Sequence, residues 1–258
     1  MPPSLDTSRP NVARVYDYWL GGKDNFEADR AQAEKLLAVF PGLRQLVREN
    51  RAFIVRAVSW VAGLGIEQFA DLGAGLPTSP STHESAQATN PGARVIYVDN
   101  DPLVVAHADA LLARDSGTVS AVNGDLNDPD ALLASAGLLG VIDLDKPVCL
   151  ILAAVLHLMD ATRAAEVARA YTRALAPGSY VIISTARYDD PVLAEQIMSG
   201  YTAGTYFNHS REEIAACFAG LDLIEPGLTD GKTWRAHMPA PRTGSRAVYP
   251  LVGVARKP

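Results

Sequence analysis

Apolar positions along the chain alternate between a helical period and a strand period, and the alternation predicts elements of both kinds. Glu27 to Val39 and Leu43 to Ala62 read as helices broken at Pro41-Gly42. In the second, Leu43, Leu46, Val47, Ile54, Ala57, Val58 and Val61 fall on one stripe, expected to pack on a sheet. Strands are expected near residues 67 to 72, 94 to 98, 119 to 122, 148 to 154, 180 to 185, 221 to 225 and 247 to 255. Helices are expected near 82 to 89, 103 to 114, 129 to 137, 161 to 175, 191 to 199 and 211 to 219. Ala176-Pro177-Gly178-Ser179 is a turn, and Ser210 with Glu213 forms a capping box. Regular alternation up to residue 185 predicts an α/β fold with a parallel sheet covered on both faces. The expected organisation is a helical extension and lid over residues 1–63, followed by one compact α/β domain over 64–258.

Composition narrows the function classes. With 258 residues and 48% hydrophobic content the chain can bury one large core, and its net charge of −6 argues against gripping nucleic acid through a general field. Cys149 and Cys217 show no Cys-x-x-Cys spacing, so neither a disulfide framework nor a metal site is expected. Met1 to Pro10 lacks an apolar signal region, and no apolar run of about 18 residues exists to span a bilayer. The expectation is a cytoplasmic protein with no membrane partner. The longest apolar tract, Val148 to Met159, reads as a central buried strand running into a loop.

Candidate chemistry starts at Asp71-Leu72-Gly73-Ala74-Gly75, entered from the apolar stretch Ile66 to Ala70 and left through Leu76-Pro77-Thr78. This is the pattern of a strand ending in a glycine-rich turn, where an α/β sheet lets backbone approach a nucleotide-like ligand. A pyrophosphate-binding turn wants a third glycine where Thr78 stands, and a carboxylate at Asp71 would repel phosphate. No Lys or Arg occurs between Asp71 and Arg94 to offset it. The same carboxylate attracts an ammonium or a sulfonium, and S-adenosylmethionine (SAM) carries both.

Two further acidic strand ends extend the pattern. Arg94 to Val98 runs into Asp99-Asn100-Asp101-Pro102, and Asp99, 24 residues past Gly75, is placed to accept both hydrogen bonds of a ribose diol. Asp101 before Pro102 reads as a helix N-cap. The third strand leads into Asn123-Gly124-Asp125-Leu126, where Asp125 reaches an adenine amine and the Leu126 N–H faces a ring nitrogen. Three carboxylates matched to an ammonium, a ribose and an amine describe SAM better than NAD.

Four segments then bring a family into view: Ala13-Arg14-Val15-Tyr16-Asp17-Tyr18-Trp19-Leu20-Gly21-Gly22-Lys23-Asp24-Asn25-Phe26, Asp71 to Thr78, Tyr97 to Pro102, and Ser210-Arg211-Glu212-Glu213-Ile214. On these residues the chain resembles a class I SAM-dependent methyltransferase, and more narrowly the actinobacterial SAM methyltransferase family once catalogued as a domain of unknown function. The resemblance implies a doubly wound, Rossmann-like sheet of seven strands, mostly parallel with an antiparallel last strand. It implies SAM as cofactor and S-adenosylhomocysteine as product, but supplies no acceptor. An acidic chain without a basic aromatic stripe favours a small-molecule acceptor over nucleic acid. The alternatives are a SAM-binding sensor or interaction module that transfers no methyl group and, less favoured, an NAD-dependent oxidoreductase.

Candidate cofactor residues are Asp71, Gly73, Ala74, Gly75, Asp99, Asn100, Asp125 and Leu126, joined by Ala153 and Ala154 at the end of the fourth strand. Gly22, Lys23 and Asn25 suit a lid that closes over the cofactor, and Arg51, Lys23 and Arg14 are candidates for its carboxylate. A base is needed only for a protonated acceptor; the candidates are His157, Tyr16 and His209. His83 could orient the glycine turn, and His107 has the look of a helix-face residue. The long link from Pro226 to Ala247, with Lys232, Trp234, Arg235, His237, Pro239, Pro241, Arg242 and Arg246, is expected to wall the substrate site.

Overall fold

A computed structural model describes residues 6–112, 117–236 and 247–258. Parallel strands β1 (Gln68–Leu72), β2 (Arg94–Asp99), β3 (Val119–Asn123), β4 (Cys149–Ala153) and β5 (Tyr180–Tyr188) pair in the order β3-β2-β1-β4-β5. The chain steps outward from β1 to β3, then crosses to the other side of β1 to lay down β4, so β1 and β4 flank the topological switch. Short β6 (Asp222–Leu223) and β7 (Thr229–Asp230) pair antiparallel with β8 (Val248–Arg256), which is antiparallel to β5 over its whole length. The sheet thus has eight strands where seven were expected. The additional one, β7, is two residues long and carries no readable period.

Helices cover both faces. These are α1 (Val12–Leu20), α2 (Glu27–Val39), α3 (Leu43–Gly63), α4 (Thr82–Gln87), α5 (Pro102–Leu112), α6 (Pro129–Leu133), α7 (Ala136–Leu139), α8 (Ala161–Ala174), α9 (Pro191–Gly200) and α10 (Arg211–Ala216). The period of 2 along the strands sends Phe69, Val95, Ile151 and Ile182 to one face and Ala70, Leu72, Ile96, Leu150 and Ile183 to the other. On the first face they meet Phe53, Ala57, Val58 and Val61 of α3, which is why that stripe is apolar. On the second they meet α6, α7, α8 and α10. The expected helix at 129 to 137 is two short ones, because the Ser135 side chain accepts from the Leu138 N–H and starts a new turn.

The N-terminal segment forms a third core of its own. α1 was not anticipated as a helix; the Asn11 side chain accepts from the N–H groups of Ala13 and Arg14 to start it, and Gly21 ends it in the left-handed region at φ 90°. Val15 and Trp19 of α1 pack with Ala33 and Leu36 of α2, the first turns of α3, Tyr188, α9 and Val248. Beneath them Arg14 Nε stands 2.9 Å from Asp29 Oδ2 as a fully buried ion pair, and Asp29 also accepts from the N–H groups of Asn11 and Phe26.

The closing link does not wall a site where it is described. Trp234 is fully buried on the α3 face against Phe53 and Trp60, and Arg56 of α3 donates to the carbonyls of Trp234 and Gly231. His237, Pro239, Pro241, Arg242 and Arg246 lie outside the described residues. Among the described residues no helix is long and apolar enough to cross a membrane.

Removing one partner of the Arg14 and Asp29 pair leaves a buried charge uncompensated. Asp29→Ala is expected to lower unfolding free energy by about 3–5 kcal/mol, read from urea midpoints with the slope unchanged. A loss under about 1 kcal/mol would mean that water reaches the pair.

Candidate functional site

The carboxyl ends of the parallel strands open side by side. Register pairs Asp71 with Tyr97 and Ile151, Asp99 with Asn123, and Ala153 with Ser184, so the loops after β1, β2, β3 and β4 emerge at one edge. Between them lies a cavity of about 400 Å³. Its walls include Asp71, Gly73, Ala74, Gly75, Asp99, Asn100, Asp125, Leu126, Ala153, Ala154 and Arg51. These eleven candidates were drawn from separate loops and one helix, and the fold brings them together.

The glycine turn takes its shape from β2. Gly73 and Ala74 both donate to the Val98 carbonyl, and the Gly75 N–H donates to Asp99 Oδ2 at 2.9 Å. Gly73 sits at φ 71° with its α-carbon against Val155, so closely that a Cβ would overlap Val155 Cγ1; Gly75 sits at φ 65° with open space where its Cβ would be. Across the switch, Ala154 is held at φ 56° by hydrogen bonds from its N–H to the carbonyl and the hydroxyl of Ser184. A non-glycine residue in this region is strained, and the strain turns the loop after β4 out of the sheet where the cavity lies.

Charge is concentrated on these walls. Asp71 is buried, and burial raises its pKa, with the neighbouring Asp99 adding to the rise while the Thr82 hydroxyl, 2.6 Å from Oδ2, and Arg51 oppose it. Asp99 is likewise raised by burial, against backbone donors from Asp101 and Gly75. Asp101 itself accepts from the Leu103 N–H, as a helix N-cap should. Asp125 is exposed and accepts from Asn127. The opposing cation is Arg51 on α3, which donates to the carbonyls of Thr78 and Pro80 through one terminal nitrogen and leaves its buried Nε without a partner.

Other candidates fall elsewhere. Gly22, Lys23 and Asn25 are not among the lining residues: Asn25 is buried and donates to Asp17 Oδ2 and the Gly22 carbonyl, Lys23 is exposed, and Gly22 lies so close to Asp17 that a Cβ would overlap its carboxylate. The diglycine is therefore a fastened turn, tied by Asp17, where a flexible hinge was expected. Arg14 is committed to Asp29 and to the carbonyls of Asp6 and Arg9. His209 is buried with Nε2 3.1 Å from the Leu156 carbonyl and lines neither this cavity nor its neighbour. His83 bonds the Tyr97 hydroxyl beneath the glycine turn, and His107 faces Asp24 at 3.6 Å.

Tyr16 does line the cavity, accepting from Asn50 Nδ2 at 2.9 Å, and burial raises its pKa. His157 lines a smaller adjoining chamber instead, 3.3 Å from Thr185, and burial lowers its pKa to about 3. It is neutral at pH 7 and a weak base. The polar lining residues missed by the sequence reading include Asn11, Asp17, Asn50 and Asn127. Asn50 had a signal: it occupies a position of the apolar α3 stripe, three residues after Val47 and four before Ile54, where a polar side chain needs a reason.

The S-adenosyl methyltransferase family matches residues 1–258. A solved candidate methyltransferase from Thermobifida fusca is 40% identical, with a TM-score of 0.91 over 99% of this chain and 98% of its own. A DUF574 family protein from Streptomyces avermitilis is 35% identical, with a TM-score of 0.90 over 98% of this chain and 99% of its own. The 1,6-didemethyltoxoflavin-N1-methyltransferase of Burkholderia thailandensis, solved with bound 1,6-didemethyltoxoflavin and S-adenosylhomocysteine, shares the fold at 18% identity and a TM-score of 0.52, over 79% of this chain and 78% of its own. No curated protein matches the chain.

The two glycines of the turn should respond differently to the same change. Gly73→Ala combines positive φ with a steric clash and is expected to cost several kcal/mol of stability, whereas Gly75→Ala should cost only about 1 kcal/mol. Chemical denaturation of both variants checks this; equal losses would contradict the close approach of Gly73 to Val155.

Proposed function

The chain belongs to the S-adenosyl methyltransferase family, a family of SAM-dependent enzymes, and from that membership we propose that it methylates a small molecule using a cofactor held in the 400 Å³ cavity. The observation that carries the assignment of roles is the order of charges set by the neighbouring strands β1, β2 and β3, with Asp71 beside Arg51, then Asp99, then Asp125 along one cavity. Asp71 takes the cofactor's ammonium, and Arg51, through its unpartnered Nε, takes its carboxylate. Asp99, already oriented by two backbone donors, takes the ribose hydroxyls. Asp125 and the Leu126 backbone take the adenine edge.

This donor and acceptor set fits the group. Among the described lining residues a phosphorylated dinucleotide would meet four carboxylates, Asp17, Asp71, Asp99 and Asp125, and a single arginine, a balance that repels it. Bound, SAM supplies a methyl group on a sulfonium, which is a good leaving group. The chain's own residues then have to position an acceptor, exclude water and keep charges fixed. Helix α1 does part of this by laying Val12, Ala13, Tyr16 and Asp17 over the cavity, and the covering role proposed for residues 1–63 rests on that placement. Neither Tyr16, with its raised pKa, nor neutral His157 is a strong base at pH 7, which favours acceptors that need little help to lose a proton.

Calorimetry tests the binding half and labelled SAM the turnover half. SAM and S-adenosylhomocysteine are expected to bind and NAD not to; preference for NAD overturns the reading, and binding without transfer to any of a broad metabolite panel would make the protein a sensor. Asp71→Asn should weaken SAM by about tenfold or more. It should also raise the melting temperature of the ligand-free protein. The sign follows from linkage: a carboxyl whose folded pKa is raised holds its proton better folded than unfolded, so folding loses stability as pH rises through that interval, and asparagine has no such loss.

A further inference from the structure

Beyond the main cavity, and sharing Val12, Tyr16, Asn50 and Ala154 with it, lies a second chamber of about 60 Å³ that the cofactor assignment does not use. It is enclosed by the third core: α1, α2, the first turns of α3, the end of β5 and the segment around Tyr201 and Tyr206. The described residues lining it include no Asp, Glu, Lys or Arg. Its aromatic wall is built of rings set edge to face, with Tyr201 and Tyr206 5.5 Å apart at 62° and Tyr188 and Tyr206 6.2 Å apart at 73°. His157 lies against Tyr206 at 4.6 Å. A charged guest would lose its hydration here with no counter-ion, while a flat apolar one gains edge contacts from several rings.

One amide side chain, that of Asn50, lines both spaces. Asn50 is buried, its Nδ2 donates to the Tyr16 hydroxyl, and its Oδ1 has no hydrogen-bond partner. A buried acceptor left unpaired is costly, and the cost is removed by a guest that brings an O–H or N–H to that point. Tyr16 donates toward the Val47 carbonyl at 3.4 Å, so it does not turn to satisfy Asn50 itself.

From the uncharged aromatic wall and the unpaired Asn50 oxygen, we propose that this chamber is the acceptor subsite and that it takes a small, uncharged ring compound carrying one O–H or N–H, which Asn50 Oδ1 receives. The proposal rests on the cofactor reading above, since it puts the ring beside the end of the cavity next to Ala154. At about 60 Å³ the chamber is smaller than the roughly 150 Å³ of an apolar cavity that holds benzene, so it receives one edge of the ring, with the rest of the acceptor lying in the main cavity. Asn50 acts here as a positioning residue.

The test is isothermal calorimetry on protein saturated with S-adenosylhomocysteine, using phenol, toluene, benzoate and benzylammonium as probes. Phenol is expected to bind at least tenfold more tightly than benzoate or benzylammonium. Asn50→Leu should remove most of the advantage of phenol over toluene, and Ala186→Phe, which fills the chamber, should abolish binding of both. A single cooperative thermal unfolding transition like the parent's reports that each variant is folded; if Ala186→Phe fails that check, the milder Ala186→Leu takes its place and should weaken phenol at least tenfold. Equal or tighter binding of the charged probes, or phenol binding indifferent to the chamber-filling change, overturns the proposal. Failure of the parent protein to bind S-adenosylhomocysteine at all would instead overturn the cofactor reading.

Discussion

The site depends on one close approach, where the backbone of Gly73 passes against the side chain of Val155. β1 and β4 are neighbours in the sheet, yet their chains must leave in opposite directions, and the loops can part only if one of them has no Cβ at the point of contact. Positive φ at Gly73 and Gly75 on one side and at Ala154 on the other turns both loops away from the sheet. The crevice is what remains between them. Asp99 then locks the turn, because the same carboxylate that lines the cavity accepts the Gly75 N–H. Shape and charge are therefore set by one group.

That arrangement places charges where folding alone would not want them. Burial raises the pKa of both Asp71 and Asp99, and the charge of Asp99 adds to the rise at Asp71. Buried carboxylates of this kind cost stability at neutral pH. The cost makes sense if a cationic ligand completes the site, because the penalty of assembling the charges is then met in advance and the ligand does not have to reorganise the walls. Arg51, anchored by the carbonyls of Thr78 and Pro80, supplies the one opposing charge without neutralising the cluster.

The N-terminal helices give the sheet a feature that a bare α/β unit lacks. α3 belongs to two cores at once: its C-terminal half covers one face of the sheet, and its N-terminal half packs with α1 and α2. Asn50 and Arg51 fall where the two halves meet, so a continuous helix carries groups from the large cavity to the chamber beside it. The buried pair of Arg14 and Asp29 and the Asp17 clamp on the diglycine turn hold α1 in place over the opening. The cover is a packed element whose own core includes the chamber wall.

Most of the fold was legible in the chain because strands and helices announce themselves by period, and the acidic strand ends stood out because carboxylates are out of place after apolar runs. Asp71 and Asp99 stood out from their local motifs, whereas Asp125, in an ordinary Gly-Asp turn, stood out only as the third acidic strand end of the series. What local pattern could not carry was which side of α3 faces the cavity, so Asn50 passed unremarked and Arg51 stood level with Arg14 and Lys23. Only the packing separated those three cations: it spends Arg14 on Asp29, leaves Lys23 in solvent and brings Arg51 to the crevice. The sequence by itself determined the element types and the chemistry available at each strand end, since both are short-range properties of neighbouring residues. The tertiary structure alone decided which of those groups share a cavity, because that depends on contacts between residues far apart in the chain, where hydrogen bonds and close packing choose among side chains that look alike in sequence.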